Sequence, residues 1–231
     1  LWEIDQVSEK QELPAPYFAE KLNRVSRYFD MLSSSFSIMQ EGMETAQYLK
    51  FRNTLTPASG FQSAQYRLIE FASTESVNLI DQRFRASNNS QASEEWVYEH
   101  LYWQAAGKDH ATGKKNTLIR LFEEKYKAFF LRKLKQYDTT NLWSKYKSLP
   151  EKEKSNAGLI EAMRHYDLTV NITWVMAHYK AAEKYLESDG KTAEATGGSD
   201  WKKYMHPRYQ RRIFFPDLWT REELEKWGHN V

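Results

Sequence analysis

The chain has 231 residues, no cysteine, and 33 lysine and arginine residues against 31 aspartate and glutamate residues, for a formal net charge of +2. The lack of cysteine excludes disulfides, thiolate metal ligands and a cysteine nucleophile, and it is typical of a reducing cytoplasm. The near-neutral charge gives no general attraction to nucleic acid. No apolar run approaches the roughly 20 residues of a membrane helix. We therefore expect neither a nucleic-acid nor a membrane partner.

Glycine and proline are sparse, at 9 and 6 residues. All-β folds need turn residues roughly every 8 to 12 positions, so this composition favours long helices. In chain order, apolar residues spaced three or four apart predict helices. The predicted helices cover 17–39, 45–54, 61–73, 94–104, 117–137, 155–187 and a terminal turn at 222–227. We predict an all-α fold in a single domain spanning residues 1–231.

The second predicted helix carries a possible amino-acid site. Tyr48 and Arg52 are four residues apart, and Leu55 follows on the same side. Residues at this spacing share a helix face, about 6 Å apart along the axis. Arginine forks onto a carboxylate, tyrosine adds a hydrogen bond, and leucine can meet an aromatic ring. The alternative is a surface arginine with tyrosine packed over its stem.

The last long helix carries a histidine on its apolar stripe. His178 follows Trp174 by four residues, and the stripe continues to Tyr185. In a chain without cysteine, a haem iron would need a ligand from histidine, methionine or tyrosine. The alternative is an ordinary core histidine. Of the six histidines, His178 is the best candidate for a haem ligand.

A third candidate lies after this helix, where Thr196 precedes two glycines and Ser199. A threonine hydroxyl beside closely approachable backbone can bind a polar ligand. The alternative is a flexible loop.

Together these groups resemble the tryptophan 2,3-dioxygenase family. Residues 48–70, which include Pro-Ala-Ser-Gly-Phe-Gln-Ser at 57–63, are similar to that family's signature almost residue for residue. The order of the later motifs also agrees: Trp-x-x-x-His at 174–178, Thr-Gly-Gly-Ser at 196–199 and Phe-Phe-Pro-x-Leu at 214–218. The resemblance spans about residues 1 to 219.

The resemblance implies an all-helical, homotetrameric, cytoplasmic enzyme with haem b as cofactor. Such an enzyme inserts both atoms of O2 into the indole 2,3 bond of L-tryptophan and forms N-formyl-L-kynurenine, the first step of tryptophan catabolism by the kynurenine pathway. The seam of apolar residues from Leu22 to Met39 could serve the tetramer.

The resemblance also implies roles for particular residues, in three groups. These are the proximal iron ligand, His178; the substrate-binding residues Tyr48 and Arg52 for the carboxylate, Leu55 for the indole and Thr196 for the ammonium; and Ser59 and Gly60 over the distal face of the haem.

No catalytic residue is assigned within the chain. In this family a distal histidine lies shortly before a Glu-Leu-Trp motif, and Leu1-Trp2 matches the end of that motif. We therefore expect the distal histidine and an N-terminal segment to lie upstream of Leu1. Two further interpretations remain open: a related haem oxygenase that acts on a modified indole in secondary metabolism, and a helical binding protein that has lost haem.

Overall fold

The computed structural model describes residues 1–52, 54, 63–87, 92–108, 112–188, 191–192, 202 and 205–229. Helices dominate this part of the chain, which confirms the all-α prediction. Their bounds are α1 Trp2–Glu9, α2 Ala15–Gly42, α3 Thr45–Arg52, α4 Ala64–Ser73, α5 Gln82–Arg85, α6 Glu94–His100, α7 Tyr102–Ala106, α8 Thr117–Thr140, α9 Leu142–Lys147, α10 Glu151–Lys154, α11 Ala157–Leu168, α12 Trp174–Leu186 and α13 Arg221–Glu225.

Short elements complete this description. Single turns of 3₁₀-helix cover Ser76–Leu79 and Pro216–Leu218, and a π-helical turn covers Thr169–Thr173. Two-residue strands, β1 Glu187–Ser188 and β2 Lys191–Thr192, pair antiparallel. No helix within the described residues is long and apolar enough to cross a membrane.

Helix α2 is the longest helix in the described residues and packs along both α11 and α12. It begins directly after Pro14, whose extended backbone cannot continue a helix towards the N-terminus. Leu22, Val25 and Phe29 are buried, as their spacing predicts. The predicted seam is not buried throughout, however, because Leu32 is 48% exposed. The seam therefore contributes to the core mainly in its first half.

Helices α11 and α12 form one continuous helical stretch, in agreement with the helix predicted at 155–187. The Asn156 side chain caps its start by accepting a hydrogen bond from the Leu159 amide. The π-helical turn lies between the two α-helices. Each π turn inserts one residue and shifts the helix face that follows, and such turns are frequent at functional sites.

Two predicted boundaries are wrong for local reasons. The helix predicted at 94–104 is divided, because Leu101 adopts φ −56° and ψ 141° and forms an isolated bridge with Ile80. The helix predicted to begin at 61 begins at Ala64, where the Ser63 side chain accepts the Tyr66 amide as an N-cap. Residues 61–62 lie outside the described part.

Several short helices were not predicted. In α1, Ile4 and Val7 are almost fully buried against the rest of the core. In α9, the Asn141 side chain caps the first turn by accepting the Ser144 amide. Helices of two turns or fewer contain too few apolar positions to reveal a period, so tertiary packing decides them.

Candidate functional site

His178 lies in the second turn of α12, on the face directed at α2. The same face carries Trp174 one turn before it and Tyr185 two turns after it. Tyr185 is 2% exposed, whereas Trp174 is partly buried against the main core. The apolar stripe predicted from sequence is therefore the face that packs inward.

The imidazole of His178 is enclosed by aromatic rings. Phe36 of α2 stacks on it with ring centroids 5.2 Å apart and planes at 12°. The indole of Trp174 lies 6.5 Å away by the same measure. Burial lowers the pKa of His178 below its usual value. The ring is therefore neutral at pH 7, which is the form that coordinates a metal ion.

Hydrogen bonding separates His178 from two other histidines in the described part of the chain. The Nδ1 atom of His100 lies 2.7 Å from the Trp96 carbonyl oxygen. The Nδ1 atom of His206 accepts the Arg208 amide at 3.2 Å. Neither ring nitrogen of His178 has a hydrogen-bond partner among the described residues. A half-buried, neutral imidazole whose nitrogens have no partner among the described residues would suit a ligand of haem iron.

Helix α3 places Tyr48 beside the same helix. The Tyr48 ring stacks on Tyr185 with centroids 4.3 Å apart and planes at 20°. Phe51 contacts Tyr48 edge-on at 5.3 Å. Arg52, the last residue of α3, is half-buried. Two sequence-predicted substrate residues thus lie on a helix docked against the histidine helix.

The distance along α12 between His178 and the position where Tyr48 docks follows from helix geometry. Tyr185 comes seven residues after His178, which is about two turns and ~10 Å along the axis, on nearly the same face. The structure therefore brings the Tyr48 helix and His178 to one side of α12. The other predicted site residues, Leu55, Ser59, Gly60 and Thr196, lie outside the described residues.

Asp167 of α11, which the sequence analysis did not single out, anchors the C-terminal segment at residues 214–219. Its carboxylate accepts hydrogen bonds from the backbone amides of Phe214 and Phe215, the indole of Trp219 and the amide of Asn171. Asp167 is completely buried, and burial raises its pKa to about 6. The only signal in the sequence is an acidic residue inside an apolar helix stripe.

A second buried group of charges was also missed. Glu70 of α4 accepts hydrogen bonds from Arg67, at 2.7 Å, and from the Tyr102 hydroxyl. The guanidinium of Arg212 donates to the same Tyr102 hydroxyl at 2.8 Å. All four side chains are buried. This group links α4, most of which belongs to the signature at residues 48–70, to the chain just before Phe214.

Comparison with known proteins decides the family. A sequence model of the family described as "Tryptophan 2,3-dioxygenase" matches residues 2–188. The chain belongs to the tryptophan 2,3-dioxygenase family. The match includes α3, the signature at residues 48–70, the π turn and His178, whereas the partners of Tyr102 and Asp167 at residues 212–219 lie beyond it.

Individual relatives carry the same name. A Ruegeria tryptophan 2,3-dioxygenase is 52% identical over 50 residues, which is 22% of this chain and 18% of that protein. The Xenopus tropicalis enzyme is 36% identical over 77 residues, 30% of this chain and 19% of its own length. The match thus covers about a fifth of the length of these relatives. A Bacillus thuringiensis tryptophan 2,3-dioxygenase is 27% identical over 223 residues, 92% of this chain and 73% of that protein. No solved structure matches the chain.

Proposed function

We propose that the protein is a haem-dependent tryptophan 2,3-dioxygenase. It uses O2 to cleave the indole 2,3 bond of L-tryptophan and produces N-formyl-L-kynurenine, the first step of the kynurenine pathway. Family membership over residues 2–188 supports this proposal. The single observation that carries it is the neutral imidazole of His178, which has no hydrogen-bond partner among the described residues and lies on the helix face against which the Tyr48 helix docks.

His178 is the residue proposed to hold haem b, through its iron. When bound, haem supplies the redox-active iron that activates O2. Phe36 and Trp174 limit the orientations of the imidazole and shield part of it from water. Because burial keeps the imidazole uncharged, no proton has to leave before it binds iron.

The substrate residues are proposed to act by charge and shape. Arg52 pairs with the carboxylate of L-tryptophan, and the Tyr48 hydroxyl donates a hydrogen bond to it. Leu55 is proposed to line the indole pocket, Thr196 to accept a hydrogen bond from the substrate ammonium, and Ser59 with Gly60 to lie over the distal face of the haem.

The test is an absorption spectrum of the haem-loaded protein before and after dithionite and carbon monoxide. A Soret band at the position of a histidine-ligated ferrous–CO haem is expected, and His178→Ala should lose it. His165→Ala is the matched control, because His165 is exposed on the preceding helix. A wild-type protein that takes up no haem, or a His178→Ala spectrum like the wild type, contradicts the assignment.

The reaction has its own measurement. With L-tryptophan and ¹⁸O2, mass spectrometry of the product should show two labelled oxygen atoms. Incorporation of one atom, or turnover of a modified indole alone, would instead favour the related haem oxygenase. No turnover by a fully haem-loaded protein would leave a binding protein of the same fold.

The assembly is proposed to be a cytoplasmic homotetramer in which residues 1–231 form one domain. A hydrophobic core that runs from Ile4 to Phe215 supports the single domain. Met31 and Ile38 on α2 are 69% and 71% exposed, seven residues apart on one helix face, and such apolar surface favours association of copies. Light scattering should report a tetramer that Ile38→Glu weakens and Leu121→Glu, on exposed α8 surface, leaves intact.

A further inference from the structure

The C-terminal end of α2 is stabilised from another helix. Its last turn contains no basic residue, and its final carbonyl groups have no partner further along α2. The Tyr185 hydroxyl of α12 lies 2.8 Å from the Met39 carbonyl oxygen and 3.3 Å from that of Met43, and it donates to them. A side chain of the histidine helix therefore caps the helix that precedes α3.

Lys184 also stabilises the corner between α2 and α3, at residues 39–45. Its ammonium donates to the carbonyl oxygen of Gln40 and, at 3.2 Å, to that of Met43. A cation at a helix C-terminus also interacts favourably with the helix dipole. Two adjacent residues of α12 thus fix the turn between α2 and α3 in place.

Tyr185 has a second contact, which leads to the substrate site. One face of its ring carries the stacked ring of Tyr48 at 4.3 Å. Tyr185 is 2% exposed, so its ring is almost completely shielded from solvent. The same side chain thus contacts the end of α2 through its hydroxyl and Tyr48 of α3 through its ring.

We infer that Tyr185 is a positioning residue for substrate recognition. It holds α3 so that Tyr48 and Arg52 meet the carboxylate of the amino acid, at a fixed distance from His178 on the same helix. This inference rests on the proposed function for the identity of the ligand, but its structural part does not. Tyr185 itself is proposed to touch neither substrate nor haem.

Two variants separate its two contacts, and a second tyrosine supplies the control. Tyr185→Phe removes the hydroxyl and keeps the stacked ring, whereas Tyr185→Leu removes both. Tyr146 is a matched residue on another helix, α9: its ring stacks on Trp143 at 5.3 Å and its hydroxyl donates to the Lys154 carbonyl at 3.1 Å. Tyr146→Phe and Tyr146→Leu therefore report what the loss of an equivalent buried tyrosine does.

The structural part is tested without substrate, by hydrogen exchange of the purified protein both as isolated and after haem loading. In Tyr185→Leu, amides of residues 45–52 should exchange at least about tenfold faster, with Tyr185→Phe intermediate. The Tyr146 variants should leave that segment unchanged. Unchanged exchange in both Tyr185 variants overturns the inference, whether or not the protein oxidises tryptophan.

The recognition part is tested with L-tryptophan and with tryptamine, which lacks the carboxylate. Tyr185→Leu should raise KM for L-tryptophan about tenfold with kcat within about twofold, and should lose most of the preference for L-tryptophan over tryptamine in binding. Tyr185→Phe should recover much of that preference. If the wild type binds L-tryptophan and both variants keep its selectivity, the role of Tyr185 is wrong while the proposed function stands. If the wild type binds neither haem nor L-tryptophan, the proposed function fails. The exchange experiment alone then tests whether Tyr185 holds α3 in place.

Discussion

His178 and Asp167 lie eleven residues apart on one continuous helical stretch, yet their surroundings are opposite. Asp167 is fully buried, and four donors from three parts of the chain converge on its carboxylate. His178 is enclosed by aromatic rings, and its nitrogens have no hydrogen-bond partner among the described residues. The π turn lies between them.

The difference teaches how to distinguish an anchor from a ligand in a buried polar residue. A group whose hydrogen-bonding capacity is fully used holds the fold together and has nothing left to offer. A buried polar group without hydrogen-bond partners either lowers the stability of the fold or binds a ligand from outside the chain. The two residues should therefore respond to substitution in opposite ways.

The largest effect on stability is expected from Asp167→Ala. It leaves the amides of Phe214 and Phe215 and the indole of Trp219 without their acceptor, at about 1–3 kcal/mol for each buried donor. Relief of the buried charge offsets part of that loss. We expect the free energy of unfolding in urea to fall by about 4 kcal/mol.

Asp217 supplies the control, because it is exposed and lies between Phe215 and Trp219, in the segment that Asp167 binds. Asp217→Ala should change the free energy of unfolding by less than about 0.5 kcal/mol, as most exposed substitutions do. Equal effects at the two positions would show that the convergent donors do not make Asp167 an anchor.

The pH dependence of stability sharpens the same point. Burial raises the pKa of Asp167 from 3.8 to about 6, so the folded state holds the proton more tightly than the unfolded chain does. The stability due to this group is fully present below the unfolded pKa and is lost as the pH rises through about 6. Relative to Asp167→Asn, the wild-type free energy of unfolding should fall by about 3 kcal/mol from pH 3.5 to pH 7. A difference that stays constant, or that rises with pH, would contradict this assignment of sign.

The sequence predicts the fold well where periodicity is long and poorly where partners are distant. The helices predicted at 17–39, 117–137 and 155–187 contain enough turns to show a stripe, and the structure has helices at 15–42, 117–140 and 157–186. The hydrogen bonds of Asp167 join residues 47 and 48 positions apart, and no local pattern encodes them. His178 could be singled out because it interrupts an apolar stripe, whereas the stacking of Tyr48 on Tyr185 depends on the corner between α2 and α3.

A smaller loss of stability is expected from substitution of Phe36, whose ring stacks on His178. Phe36→Leu removes a stacked pair with His178 and a tilted pair with Trp174 at 5.2 Å. Because Phe36 is only partly buried, we expect a loss of about 1–2 kcal/mol of unfolding free energy. Differential scanning calorimetry measures it, with Leu32→Ala, an exposed position one turn earlier, as the reference. A loss as large as that of Asp167→Ala would mean that the aromatic enclosure is itself an anchor.

The smallest effect on the free energy of unfolding is expected from substitution of His178, which should also have the largest effect on haem binding. His178→Leu removes a side chain without hydrogen bonds in the described structure and replaces a desolvated imidazole with an apolar group of similar volume. Packing loss against Phe36 and relief of desolvation oppose each other, so the haem-free protein should unfold within about 1 kcal/mol of the wild type. The same variant should lose the histidine-ligated ferrous–CO spectrum. If His178→Leu instead destabilised the haem-free chain by several kcal/mol, the imidazole would be part of the scaffold, as Asp167 is, and its uncommitted nitrogens would no longer mark it as a ligand.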